Sequence, residues 1–142
     1  MPLRVLIVDD NRDGADSLGL VVEELGHNAH VTYGGRQALD VARAFRPDLM
    51  LVDLGMPDID GCSLVSLVRR SPAFAQTRIV AITGYTDEVH RTLAIKAGCD
   101  AILSKPITPR VIKEALATVA PVVADADQTP RVPESRTGES HW

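Results

Sequence analysis

Short apolar, β-branched runs alternate along the first 120 positions with segments whose apolar residues recur every three or four places. The run at 3–8 predicts a strand. Ala15, Leu18, Val21, Val22 and Leu25 then mark one helix face, with Gly26 placed as the stop. Ala29, Val31 and Tyr33 alternate with His30 and Thr32, predicting a strand with one exposed side. Ala38, Val41, Ala42 and Phe45 resume the helical period up to Pro47. Residues 49–52 and 78–82 read as fully buried strands. Between them Leu64, Val65, Leu67 and Val68 lie on a helix that ends near Ser71-Pro72. A helix over 86–97 is expected to hold Asp87 and Glu88 in its first turn and Gly98 after its last. A short strand at 101–103 follows. Thr108 then reads as an N-cap before Pro109, and Val111, Ile112, Ala115, Leu116 and Val119 form the stripe of a last helix.

Five strand-helix units in strict alternation predict a parallel sheet, because parallel neighbours need right-handed crossovers that lay helices on both faces. The fold class is therefore α/β, a doubly wound (βα)5 sandwich of the flavodoxin-like type. The half-polar second strand and the short fifth look like edges, and the apolar first, third and fourth look central. Strand order 2-1-3-4-5 satisfies both.

Composition changes this picture at one place. From Pro121 onward the chain is rich in Pro, Ser, Thr, Asp and Glu, which predicts a disordered tail over 121–142 behind a domain over 1–120. The tail holds four acids and two bases, so the formal charge of −4 divides evenly between tail and body. Such a chain offers no electrostatic footprint for nucleic acid, and no direct nucleic-acid partner is expected. Cys62 and Cys99 lack metal-type spacing and read as reduced thiols. No signal peptide and no membrane-length apolar run is visible, so a cytoplasmic protein without membrane partners is expected. Met1 falls just before the first strand, which favours a free-standing form, and a monomer or weak dimer is expected.

The candidate chemistry lies where the strands end. The first runs into Asp9-Asp10, the third into Asp53, the fourth into Thr83, and the fifth leads to Lys105-Pro106. In a parallel sheet these carboxyl ends share one edge, so three acids, a hydroxyl and an ammonium converge beside the point where strand order reverses. Two carboxylates about 4 Å apart repel by roughly 4 kcal/mol at an effective dielectric of 20. Either some hold protons or a cation sits among them. An all-oxygen ligand set suits Mg2+ better than zinc, and Mg2+ on one or two carboxylates keeps positions open for phosphate oxygens.

Asp9-Asp10, the run Asp53-Leu54-Gly55-Met56-Pro57-Asp58-Ile59-Asp60-Gly61, Thr83-Gly84 and Lys105-Pro106 together resemble the receiver domain of bacterial two-component response regulators, either free-standing or the receiver portion of a hybrid sensor kinase, across residues 3 to about 119. The resemblance implies that Asp53 is a phosphoacceptor, taking a phosphoryl group from a sensor histidine kinase or a histidine phosphotransfer protein. It implies that Asp10, Asp9 through water, Asp53 and the backbone carbonyl of Gly55 hold Mg2+. Lys105 then pairs with Asp53 before transfer and with the phosphoryl oxygen afterwards, while Thr83 donates a hydrogen bond to that oxygen. A loop biased in this way makes the domain a switch, not a turnover enzyme, read by a downstream protein at the fourth helix, fifth strand and fifth helix.

The pattern departs from the family at Ile102, three residues before the lysine, where receivers often have Tyr or Phe. Tyr85 is the aromatic left in that neighbourhood, expected to flank the site and shield the acyl phosphate or take over the reporting role. Asp58, Asp60 and Gly61 read as loop and helix-start residues, and His27 and His30 as solvent-facing. Three rival readings stand beside the switch. A phosphorylation-independent adaptor would keep the site as a relic. A phosphatase of the haloacid dehalogenase type would need an acid where Gly55 stands. Flavin binding is opposed by carboxylates in the first loop.

Overall fold

The computed structural model describes residues 2–56, 58–84 and 87–119. Its elements run β1 (Arg4–Val8), α1 (Arg12–Glu24), β2 (Asn28–Thr32), α2 (Gly35–Phe45), β3 (Leu49–Asp53), α3 (Gly61–Arg69), β4 (Arg78–Thr83), α4 (Glu88–Ala97), β5 (Ala101–Ser104) and α5 (Pro109–Val119). All neighbouring strands pair parallel, in the order β2-β1-β3-β4-β5. Successive residues of a strand point to opposite faces, and both faces here are covered. Leu6, Val8, Met50, Val52, Ile79 and Ala81 pack with α2, α3 and α4, whereas Val5, Ile7, Leu49, Leu51, Val80 and Ile82 pack with α1 and α5.

The helix ends follow the chemistry of the residues at them. Asn11 caps α1 by accepting from the Gly14 amide at 3.0 Å, and Asp60 caps α3 by accepting from the Ser63 amide at 3.0 Å. At α5 the Thr108 hydroxyl accepts from the Val111 amide at 3.3 Å, with Pro109 in the first turn as expected. Gly98 ends α4 in the left-handed region at φ 119°, where an added Cβ would lie 2.6 Å from the Arg69 side chain.

The structure corrects several local expectations. Asp87 is the N-cap of α4 and not part of its first turn, accepting from the His90 amide at 2.9 Å. Thr32, expected on the exposed side of β2, is fully buried, because its hydroxyl turns in to donate to the Ile7 carbonyl at 2.8 Å. His27 is half-buried where solvent exposure was expected, since its Nδ1 accepts the Leu3 amide at 2.9 Å. His30 is exposed, its ring edge-on to Phe45. After α3 the chain forms a 3-10 turn at Pro72–Phe74 that brings Phe74 into the core, an element the apolar period does not signal. Both cysteines are free thiols, Cys99 buried and Cys62 half-buried.

Candidate functional site

Asp53 ends β3 facing β4, its backbone in register with Ile82. The strand is buried along its whole length, and the Asp53 side chain is itself only 8% exposed. Its two oxygens are separately engaged. Oδ1 accepts the Gly55 amide at 3.0 Å, and Oδ2 accepts from Lys105 Nζ at 3.2 Å. Lys105 reaches it from the loop after β5, where its amide donates to the Thr83 carbonyl at 2.9 Å and its bond to Pro106 is cis.

Asp9 and Asp10 arrive from the end of β1. Carboxylate oxygens of Asp9, Asp10 and Asp53 all lie within 4.8 Å of one another. Asp10 is exposed and Asp9 buried, with Asp9 Oδ1 accepting the Asn11 amide at 2.9 Å. Burial is the main force on Asp9, and the neighbouring Asp53 carboxylate adds to it. Together they push its carboxyl up to about 6, against the lowering effect of the Asn11 amide and the Lys105 ammonium. The cluster contains neither histidine nor cysteine, so its donor chemistry is that of a hard, oxygen-seeking cation.

Thr83 ends β4 one position beyond the register partner of Asp53 and is 3% exposed. It lines a groove of about 590 Å³ with Cys62, Ser66, His90 and Lys96, between α3 and α4. On the other side, Asp9, Asn11 and Lys105 open into a groove of about 640 Å³ between α1 and the start of α5. Thus the five residues singled out at strand ends do meet at one sheet edge, and Gly55 lies among them through its amide. Ile102 is half-buried and packs on the core beneath α4. Tyr85 and the expected tail lie outside the described residues.

A family model of the response regulator receiver domain matches residues 5–117. The chain belongs to that family. As a receiver domain it functions in two-component phosphorelay signalling, with histidine kinases and downstream effectors as its classes of partner. The polar-differentiation response regulator DivK of Brucella anthropi is 32% identical over 114 residues, covering 80% of this chain and 93% of DivK. The DNA-binding response regulator MtrA of Mycolicibacterium paratuberculosis is 36% identical over 110 residues, covering 78% of this chain but only 48% of MtrA. The chain therefore spans about half the length of that second relative. Among solved structures, the Vibrio cholerae chemotaxis protein CheY4 superposes with a TM-score of 0.80 at 26% identity, covering 84% of this chain and 99% of that one. The CheY-like receiver domain from Methylobacillus flagellatus does so with a TM-score of 0.74 at 26% identity, over 84% and 99% of the two chains. Among the described residues, no helix of this receiver is long and apolar enough to cross a membrane.

Two features outside the acidic cluster escape sequence reasoning. Arg12 lies over the Tyr33 ring, 4.1 Å from its centroid, and the Tyr33 hydroxyl donates to Asp16. That bond to Asp16 is the main cause of the raised tyrosine pKa. Asp58, read as a loop residue, accepts the Gly35 and Arg36 amides at the start of α2, each at 3.3 Å. Desolvation pushes the exposed Asp58 carboxyl up, but the amides of Arg36, Gly35 and Ile59 outweigh it and hold the group below its ordinary value. The available signal was Gly34, which occupies the α2 N-cap without a side chain to cap with.

Proposed function

We propose that this receiver domain is a phosphoacceptor switch in which Asp53 takes a phosphoryl group from a phosphohistidine of a kinase or phosphotransfer protein. The supporting observation is the Asp9, Asp10 and Asp53 cluster within 4.8 Å, met by Lys105 at 3.2 Å. A carboxylate oxygen of Asp53 attacks phosphorus, the P–N bond breaks, and its electron pair leaves on the donor imidazole. Because the nucleophile is also the modified product, the domain acts once per phosphoryl group and is not a turnover enzyme.

The donor set fits Mg2+, which Asp10, Asp53 and the Gly55 carbonyl would hold, with Asp9 acting through water. When bound, the ion neutralises charge on the phosphoryl oxygens. Burial limits the solvent around the Asp53 carboxylate, and Lys105 supplies positive charge on its Oδ2 side. Thr83, at the end of the neighbouring strand, would donate its hydroxyl to the new phosphoryl oxygen. Such a charge-assisted bond contributes roughly 1.5–3 kcal/mol, enough to bias a two-state loop. The surface that reports the change is α4, β5 and α5. Its α4 face leaves Val89 66% and Leu93 52% exposed, a surface a downstream protein can cover. Unpaired thiols at Cys62 and Cys99 agree with a cytoplasmic setting, where phosphohistidine donors are made.

One observation favours a second reading, a phosphorylation-independent adaptor. Ile102 fills the β5 position beneath α4 with a side chain that has no ring to swing. Incubating the protein with Mg2+ and acetyl phosphate, followed by peptide mapping, separates the two. One phosphoryl group on Asp53 and its loss in Asp53→Asn are expected. Modification elsewhere, or partner binding that Asp53→Asn leaves untouched, overturns the switch.

A further inference from the structure

The loop between β3 and α3 follows Asp53 and carries Gly55, so the way its described residues are held bears on the geometry of the site. Two of its fastenings are local. The Gly61 amide donates to the Leu54 carbonyl at 3.2 Å, and Asp60 caps α3. A third is not. Asp58 spans 23 residues back along the sequence to α2, its Oδ1 accepting the Gly35 amide and its Oδ2 the Arg36 amide, each at 3.3 Å. Oδ1 also accepts the Ile59 amide at 2.8 Å, so one carboxylate ties loop and helix together.

The two glycines at the start of α2 are what permit this approach. A Cβ on Gly34 would lie 2.9 Å from Asp58 Oδ2, and one on Gly35 would lie 1.9 Å from the Ile59 side chain. Gly34 has extended backbone, φ −167°, which any residue adopts. Its missing side chain therefore serves space, and the helix loses its own N-cap in exchange for one supplied by the loop.

We propose that Asp58 is a positioning residue for the phosphoacceptor site, pinning the β3–α3 loop to the start of α2 so that Gly55 stays set beside Asp53. This rests on the reading of Asp53 as a Mg2+-dependent phosphoacceptor. Asp58 touches neither the phosphoryl group nor the ion. It acts through Gly55, whose amide holds Asp53 Oδ1 and whose carbonyl belongs to the proposed ligand set.

A swap of caps separates loop positioning from simple helix capping. In Asp58→Ala the obstacle at Gly34 is gone, so a Gly34→Ser change in that background lets the helix cap itself. Four proteins are compared: the full chain unaltered, Asp58→Ala, Asp58→Asn, and the double variant. The readouts are Mg2+ affinity by calorimetry, hydrogen exchange of the Gly55 amide, and thermal midpoint. Asp58→Ala is expected to weaken Mg2+ binding by about tenfold, in the range of lost outer-shell support, and to speed Gly55 exchange. Asp58→Asn, which keeps a carbonyl acceptor, recovers part of both. The double variant recovers the midpoint while Mg2+ affinity stays low. Unchanged Mg2+ affinity in Asp58→Ala and Asp58→Asn overturns the proposal, and so does full recovery of affinity in the double variant. If the unaltered chain takes up no Mg2+, the phosphoacceptor reading fails first and takes this inference with it.

Discussion

Lys105 Nζ lies 3.2 Å from Asp53 Oδ2, an ion pair whose acid is 8% exposed and whose base is 43% exposed. The asymmetry matters. If Asp53 is the phosphoacceptor proposed above, the more exposed lysine is the partner that can follow a displaced oxygen, and the buried aspartate is the one held in place.

Replacing Lys105 by Met is expected to lower the initial rate of phosphorylation from acetyl phosphate by on the order of a hundredfold, the scale of losing one preorganised charge donor. The half-exposed lysine contributes little packing, so the thermal midpoint should shift by only a few degrees. A rate within twofold of the unaltered protein contradicts its role.

The acidic cluster gives a pH dependence with a definite sign. Asp9 stands at about 6 in the folded chain against an ordinary 3.8, so folding favours its neutral form. In the metal-free protein ionised Asp9 therefore costs stability at neutral pH, and that cost is relieved as pH falls through about 6 towards 4. Asp9→Asn should therefore raise the metal-free midpoint at pH 7 and flatten its pH dependence. Mg2+ affinity of the unaltered chain should fall below pH 6, as the proton competes for the carboxylate. Thermal melts with and without Mg2+ from pH 5 to 8 check both.

Cys99 is buried, and burial pushes its thiol up to about 12, with the Cys62 thiol adding to it. Half-buried Cys62 is raised too, again chiefly by burial. Alkylation at pH 8 should label Cys62 slowly and Cys99 only on unfolding, because the thiolate is the nucleophile. Mass spectrometry of the labelled native protein counts them.

Arg69 is a structural hub far from the chemistry. Its guanidinium donates to the carbonyls of Gly98, Phe74 and Thr77 and to Asp100 at 2.7 Å, and the same Asp100 oxygen accepts the Ile79 amide. Arg69→Ala removes the shared donor from these four acceptors and is expected to destabilise the domain by about 3 kcal/mol, read by urea denaturation. Below the melt, phosphorylation of Asp53 should continue at its normal rate.

Much of this arrangement was legible in the chain itself. Apolar runs at β1, β3 and β4 could only be central strands, and a parallel sheet carries Asp9, Asp53, Thr83 and Lys105 to one edge whatever the loops do. What stayed hidden depends on contacts between distant segments. The burial of Thr32 follows from a bond to Ile7, and the role of Asp58 from amides more than twenty residues away. The hub at Arg69 joins α3, the turn after it and both ends of the α4–β5 connection. No local period encodes such pairings, since each partner taken alone is an ordinary polar residue.

β3 is paired on both sides, with β1 and with β4, and every one of its five residues is buried. The Asp53 carboxylate thus hangs from the keel of the molecule, a strand clamped between two neighbours and covered above and below. A keel does not flex when its load changes. Whatever rearrangement follows a new charge at Asp53 must be accommodated by the rigging around it, in the turns that leave the sheet, while the strand that bears the charge stays where it is.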